Sequence, residues 1–296
     1  MISASQFLQS LVTGLGSGLI YGLVGIGFCV IYNASGIVNF AQGVFVMLGG
    51  MICHAFLTKL GVPMLLAVAL TIPVVAGVGI LIELFVVRPM WNRGANMFAI
   101  ILATLATQIM IDRLTLLALG DQPRSFPEFT QGGPMKIGGV AIGYQYFWIL
   151  GCGAALVLAL WLFFTRTTTG RALRACSQNR ESAALLGIPV GRMLMLSFAL
   201  SAAIGAAAGI LVTPTQFTAF NVGVPFGVNG FIAAIIGGFG NAAGALAGGV
   251  LLGVFQAVAI VFLGAGFKTV AALTMLLVVL FIFPAGLFAG LKGKSS

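Results

Sequence analysis

Six stretches of this chain contain no Asp, Glu, Lys or Arg: residues 1–58, 60–82, 94–111, 137–165, 193–267 and 269–291. Each approaches or exceeds the roughly 20 apolar residues that a helix needs to cross the hydrocarbon of a bilayer. Such runs leave too little polar surface for a water-soluble globule, since only 6% of the 296 residues are charged and 60% are apolar. The ten-residue alternation of a membrane β-barrel is missing. The expected fold class is therefore all-α, a polytopic integral membrane protein forming one transmembrane domain over residues 1–296. Residues 1–58 have room for two spans and residues 193–267 for two or three, so about eight transmembrane helices are expected. No basic region precedes the first apolar stretch, which continues straight into more membrane sequence, so the first helix is expected to be retained.

The net charge of +9 sits in short loops between apolar runs, a pattern that reports topology and not a nucleic-acid partner. By the positive-inside rule, Arg88, Arg93, the loop 166–192 and the tail lysines Lys292 and Lys294 should face the cytoplasm. Residues 119–143 should then form a periplasmic loop. Their four charges, Asp121, Arg124, Glu128 and Lys136, cancel, and Pro123, Pro127 and Pro134 suit an irregular segment. One span over 94–118 and one over 144–165 connect the two loops. Nothing basic precedes Lys59, so the side of the amino terminus stays unassigned.

Cys29, Cys53, Cys152 and Cys176 show no CxxC spacing, and neither a disulfide nor a metal site is expected. The single histidine, His54, reads as a packing residue near a helix end. Glu83, Asp112 and Arg113 are the charges nearest the spans, and structural anchoring is favoured over a proton relay.

Glycine recurs every four residues at Gly14, Gly18 and Gly22 and again at Gly240, Gly244 and Gly248, with Gly249 and Gly253 as a second pair. That spacing places them on one helix face, where a missing side chain lets backbones approach closely in lipid. They read as packing seams within the subunit or between subunits.

Two segments interrupt the helical pattern with amides and glycines at membrane depth: YNASGIVNFAQG, residues 32–43, and IGGFGNAAG, residues 236–244. Discontinuous or re-entrant segments are tolerated where the freed backbone faces protein or a water-filled route. Asn33, Asn39, Gln42, Gly237, Gly238 and Asn241 are accordingly the candidates for lining a translocation pathway. The plainer reading is that these amides only cap interrupted helices.

The loop from Arg166 to Arg192 carries five arginines and one glutamate. As one helix from Gly170 to Leu186 it would place Arg171, Arg174, Gln178 and Glu181 within about 80° of one another, with Ala172, Cys176, Ala183 and Leu186 on another face. Alternatively, Asn179 caps a second short helix that Gly187 and Pro189 end. Such an element suits docking into a groove of another protein, and equally a solvated loop lying on anionic membrane lipid.

TTTGRALRACSQNRESAALLGIPVGR resembles the cytoplasmic loop of permease subunits of the high-affinity branched-chain amino acid ABC importers. GLIYGLVGIGFCVIYNASGIVNFAQGVFVMLGG and FIAAIIGGFGNAAGALAGGVLLG resemble two further blocks of that family, in the same order, so the likeness runs over essentially the whole chain. The resemblance implies a bacterial inner-membrane permease subunit without a cofactor. Its partners would be a second homologous permease or an identical copy, two cytoplasmic ATP-binding subunits and a periplasmic solute-binding protein. It places an ATPase-coupling helix at residues 171–187, with Arg171, Arg174, Arg180, Glu181, Ala183, Ala184 and Gly187 as its residues. Ser182 interrupts the importer pattern there. Gln42 replaces the histidine that many relatives carry, and Phe283 stands where a basic residue is usual.

An ion-coupled secondary transporter of a small polar solute is the alternative, but no carboxylate lies in the two interrupted segments. The chain contains no HExxH and no Walker A sequence, so ATP hydrolysis would have to come from a partner.

Overall fold

The computed structural model of the protein describes residues 4–130, 132–137 and 140–288. Lys292 and Lys294, expected in the cytoplasm, lie outside the described residues. The helices are α1 (Ala4–Ser35), α2 (Gln42–Lys59), α3 (Met64–Ile82), α4 (Arg88–Asn92), α5 (Met97–Leu119) and α6 (Tyr144–Arg166), followed by α7 (Thr168–Gln178), α8 (Arg180–Leu185), α9 (Val190–Gln216), α10 (Gly223–Gly237), α11 (Ala242–Leu263) and α12 (Lys268–Ile282). A π-helical turn, Glu83–Val87, joins α3 to α4 without a break. Among the described residues, eight helical stretches are long and apolar enough to span a bilayer, with Met64–Asn92 counted as one. The all-helical, eight-span expectation holds.

Among the described residues the single sheet is a small hairpin, β1 (Met135–Ile137) paired antiparallel with β2 (Val140–Ile142), Lys136 opposite Ala141. Strands of three residues carry no readable alternation, so the sequence did not announce them. The hairpin is tied to the start of α1. Gln9 Nε2 donates to Ala141 O at 2.8 Å and Gln9 Oε1 accepts from Ala141 N at 2.9 Å. At the same end the backbones of Arg124 and Thr218 exchange two hydrogen bonds of 2.7 Å. The arginine-rich link between α6 and α9 lies at the other end of the bundle.

Beside its apolar core this bundle buries many polar side chains, and it leaves large apolar ones on its outside. Ser17, Asn39, Gln42, Thr71, Gln145, Ser197, Ser201 and Gln256 are buried, while Leu65, Leu117 and Phe281 are more than four-fifths exposed. An apolar rim of this extent belongs in lipid. The central helices are α1, α2 and α9, and α6 and α12 form the exposed periphery.

The glycine seams hold the centre together by pairing with each other. A Cβ at Gly18 would stand 2.7 Å from Gly249 O, one at Gly14 would stand 2.8 Å from Gly253 O, and one at Gly22 would stand 2.9 Å from the Leu246 Cα. The amino-terminal seam on α1 therefore meets the carboxyl-terminal seam on α11 inside one subunit. Gly240 is not part of the α11 face. It sits in the turn before the helix at φ +89°, because α11 starts only after its Asn241 cap.

Two helices begin part-way through the bundle. Gln42, the first residue of α2, meets Ser201, which lies eleven residues beyond Val190 and hence about 16 Å along α9 at 1.5 Å per residue. Gly223, the first residue of α10, abuts Gly43: a Cβ added there would sit 3.1 Å from Gly43 O. With 15 residues, about 22 Å at the same rise, α10 is too short to cross a hydrocarbon layer of about 30 Å. The interrupted helices expected from sequence are thus present.

Candidate translocation and coupling sites

The first interrupted segment resolves into the end of α1, a bend at Gly36 (φ +62°) and the start of α2. The freed backbone groups find local partners. Ile37 N donates to Ser35 Oγ at 3.0 Å, Phe40 N donates to Thr104 Oγ1 of α5 at 3.1 Å, and Ala41 N donates to Asn39 Oδ1 at 3.1 Å. Asn39 is fully buried, and its Nδ2 meets no acceptor. Gln42 is also fully buried. Its Nε2 donates to Ser201 O at 3.3 Å, while the Ser201 hydroxyl lies 2.5 Å from Gln42 Oε1 and 2.9 Å from Gly27 O, so one proton serves two acceptors. Gln42 fits because Gly27 has no side chain: a Cβ there would collide with Gln42 Nε2.

The second segment is the turn between α10 and α11. Gly238 adopts φ +90° and Gly240 φ +89°, a left-handed backbone that glycine accepts without strain. Asn241 Oδ1 accepts from Gly244 N at 3.1 Å and so caps α11, and its Nδ2 donates to Phe288 O at 3.2 Å. Gly237 and Gly244 approach so closely that neither position accommodates a Cβ.

The two segments meet. Asn33 Nδ2 donates to Gly240 O at 2.8 Å across 207 residues of sequence. Around this bond runs a chain of rings, with centroid separations of 4.7 Å for Tyr32–Phe239, 5.7 Å for Phe239–Phe231 and 5.3 Å for Phe231–Phe40. Of the six candidate pathway residues, the structure joins Asn33 to the turn that holds Gly237, Gly238 and Asn241, and it joins Gln42 instead to α1 and α9. The amides do cap and bridge helices, as the plainer reading requires, yet Asn33 and the rings of Tyr32 and Phe40 bring the first segment onto the turn of the second.

In the arginine segment Thr167 caps α7 by accepting from Gly170 N at 2.9 Å. Gly170 lies so close to Phe163 O that a side chain would force α7 away from α6. The single helix from Gly170 to Leu186 is not formed. Asn179 is extended (φ −156°, ψ 114°) and accepts from Ser182 N at 3.0 Å, which ends α7 and starts α8 with Glu181 in its first turn. Glu181 therefore leaves the Arg171–Arg174 face. Leu173, Cys176 and Ala183 are buried against the bundle, whereas Arg171, Arg174, Glu181 and Ala184 are exposed, as is Gly187 at φ +80°. The Arg180 side chain lies outside the described residues. Leu185 and Leu186, 89% and 80% exposed, were not among the candidates. Two adjacent leucines on a charged surface element were the available signal, masked by the apolar sequence on either side.

The sequence matches, over residues 10–284, the family described as branched-chain amino acid transport system / permease component. The chain belongs to this family. The high-affinity branched-chain amino acid transport system permease protein BraD of Pseudomonas aeruginosa is 33% identical to this permease, covering 95% of each chain. The LivH permease protein of Escherichia coli K12 is 29% identical over the same shares. Among solved structures, PsaBC from Streptococcus pneumoniae shares the fold at a TM-score of 0.51 and 16% identity, covering 97% of this permease and 95% of that chain. Membership disfavours the ion-coupled secondary transporter.

Two charged groups of the permease were only partly anticipated. Asp112 is buried on α5, and its Oδ1 meets no donor. Glu83 is fully buried and forms a two-pronged ion pair with Arg88, at 2.9 Å from Nε to Oε1 and 2.9 Å from Nη2 to Oε2. That is anchoring, as expected.

Proposed function

We propose that this permease is the membrane-spanning subunit of an ATP-driven importer in the inner membrane of a bacterium. Its solute is a small neutral or zwitterionic molecule, a branched-chain amino acid or a related amino acid, amide or urea. It pairs with a second permease of the same family or with a copy of itself, receives solute from a periplasmic binding protein and is driven by two cytoplasmic ATP-binding subunits. Residues 166–192 face the cytoplasm and residues 119–143 the periplasm.

The observation that carries this reading is the α7–α8 element. It packs on the bundle by its buried face while it presents Arg171, Arg174, Glu181, Ala184 and Gly187 outward, beside the exposed Leu185 and Leu186. A membrane chain without a nucleotide motif that displays charge and apolar surface together at one end has a surface suited to an ATPase subunit. Arg180 belongs to the same coupling set. Asn33, Asn39, Gln42, Gly237, Gly238 and Asn241 line or close the pathway, and the Asn33–Gly240 bond with its rings is the contact that parts when the route opens. Amides and glycines without fixed charge fit a zwitterionic or neutral passenger.

The test is leucine uptake into proteoliposomes that contain the permease with its partner subunits and binding protein. Uptake should require ATP and the ATP-binding subunits. Uptake that persists without them would sink the proposal. Calorimetry of the associated binding protein against leucine, an amide and urea then narrows the passenger.

A further inference from the structure

The join between α3 and α4 has a geometry that a plain helix cannot give. Residues five apart on an α-helix point about 140° away from each other at 3.6 residues per turn. Glu83 and Arg88 are five apart, yet their side chains form a two-pronged pair, because the intervening turn is π-helical and Arg88 N bonds Glu83 O. The cause of the wide turn is one residue on. Pro89 has no N–H for the carbonyl of Phe85, and its ring would press on that carbonyl in a tight α-turn. Single π-turns inside helices are found disproportionately at functional positions.

The same guanidinium reaches a third acceptor. Arg88 Nη2 donates at 3.2 Å to Gly191 O, in the first turn of α9 and four residues after Gly187. Beside it lies a cavity of about 300 Å³, bordered by Ala34, Trp91, Asn92 and Leu194. The helix ends are therefore not packed solid against each other, and the guanidinium bridges them. α9 in turn carries Ser201, which holds Gln42.

We propose that the Glu83–Arg88 pair is a transmission joint. It fastens the α3–α4 helix to the first turn of α9, so that displacement of the arginine-rich loop moves α3, α4 and α9 as one body and reaches the Gln42–Ser201 contact. Arg88 is a positioning residue that touches no solute. The inference rests on the reading of residues 166–192 as the ATPase-facing element.

The experiment uses the complete importer in proteoliposomes and measures leucine imported per ATP hydrolysed. Arg88→Ala should lower that ratio at least tenfold with ATP hydrolysis retained. Arg88→Lys keeps the charge, but a compact ammonium cannot hold both carboxylate oxygens and a carbonyl at once, and should lower the ratio about fivefold at unchanged melting temperature. Glu83→Gln should fall between wild type and Arg88→Ala. A wild-type ratio in Arg88→Lys and Glu83→Gln overturns the joint.

Spin labels at Asn92 and Arg192 in an otherwise unchanged chain give a reading that survives a failure of the variants to fold. Their separation should stay constant on trapping with ATP and vanadate while a label at Ala184 moves relative to one at Pro127. If the Asn92–Arg192 separation changes as Ala184 moves, the joint is wrong. If Ala184 does not move at all, the underlying coupling reading is what fails.

Discussion

Gln42 shows how a single amide defines a helix start inside a membrane. The backbone leaves α1 at Gly36 and must begin a new helix where no water can satisfy its first N–H groups. Gln42 does not cap that helix; it ties it to α9 through Ser201 and fills the space that Gly27 leaves vacant. Gln42→Ala deletes those bonds and opens a void, which should cost about 2 kcal/mol and lower the melting temperature by on the order of 5 °C in detergent. Gln42→Glu places a carboxylate in the same fully buried site and should yield far less folded protein. A thermal shift near zero for the alanine variant would show that the network contributes nothing to stability.

Between elements, close backbone approach does what side-chain interdigitation does in a soluble core. Gly249→Leu forces a side chain into the backbone of Gly18 and Gly22 and should separate α1 from α11, losing about 3 kcal/mol or abolishing folding. Gly77→Ala, with no atom within 4 Å of the new Cβ, is the matched control and should be neutral or slightly stabilising. Monodispersity and melting temperature distinguish the two. These seams also mark how far sequence reasoning reaches. Four-residue spacing shows that a face is smooth, but not which other face it meets, because the pairing of α1 with α11 spans more than 200 residues and is set by the whole bundle. The helix breaks at Gly36 and Asn241 were legible, since glycine and amides at membrane depth have few other uses. The break at Asn179 was legible only as one of two readings: an arginine face with helical spacing competed with a capping signal, and the cap won. The Glu83–Arg88 pair was invisible to helical arithmetic, which places the two residues on different faces until Pro89 widens the turn.

For the whole molecule, the arginine segment is where membrane and soluble parts of the importer are proposed to meet. Glu181→Arg and Gly187→Trp leave the buried face of α7 and α8 untouched and should insert normally, yet abolish both leucine import and stimulation of ATP hydrolysis. Normal stimulation in both variants would move the contact elsewhere. The tie between Gln9 and the hairpin also has a consequence for how the chain is made. If the arginine end faces the cytoplasm as proposed, the start of α1 lies on the far side, and this part of the chain has to be carried through the bilayer as the helix enters. No Lys, Arg, Asp or Glu stands in residues 1–58 to hold them back. The same lack of charge that leaves the side of residues 1–58 unassigned makes them, for the insertion machinery, a cargo light enough to be passed across.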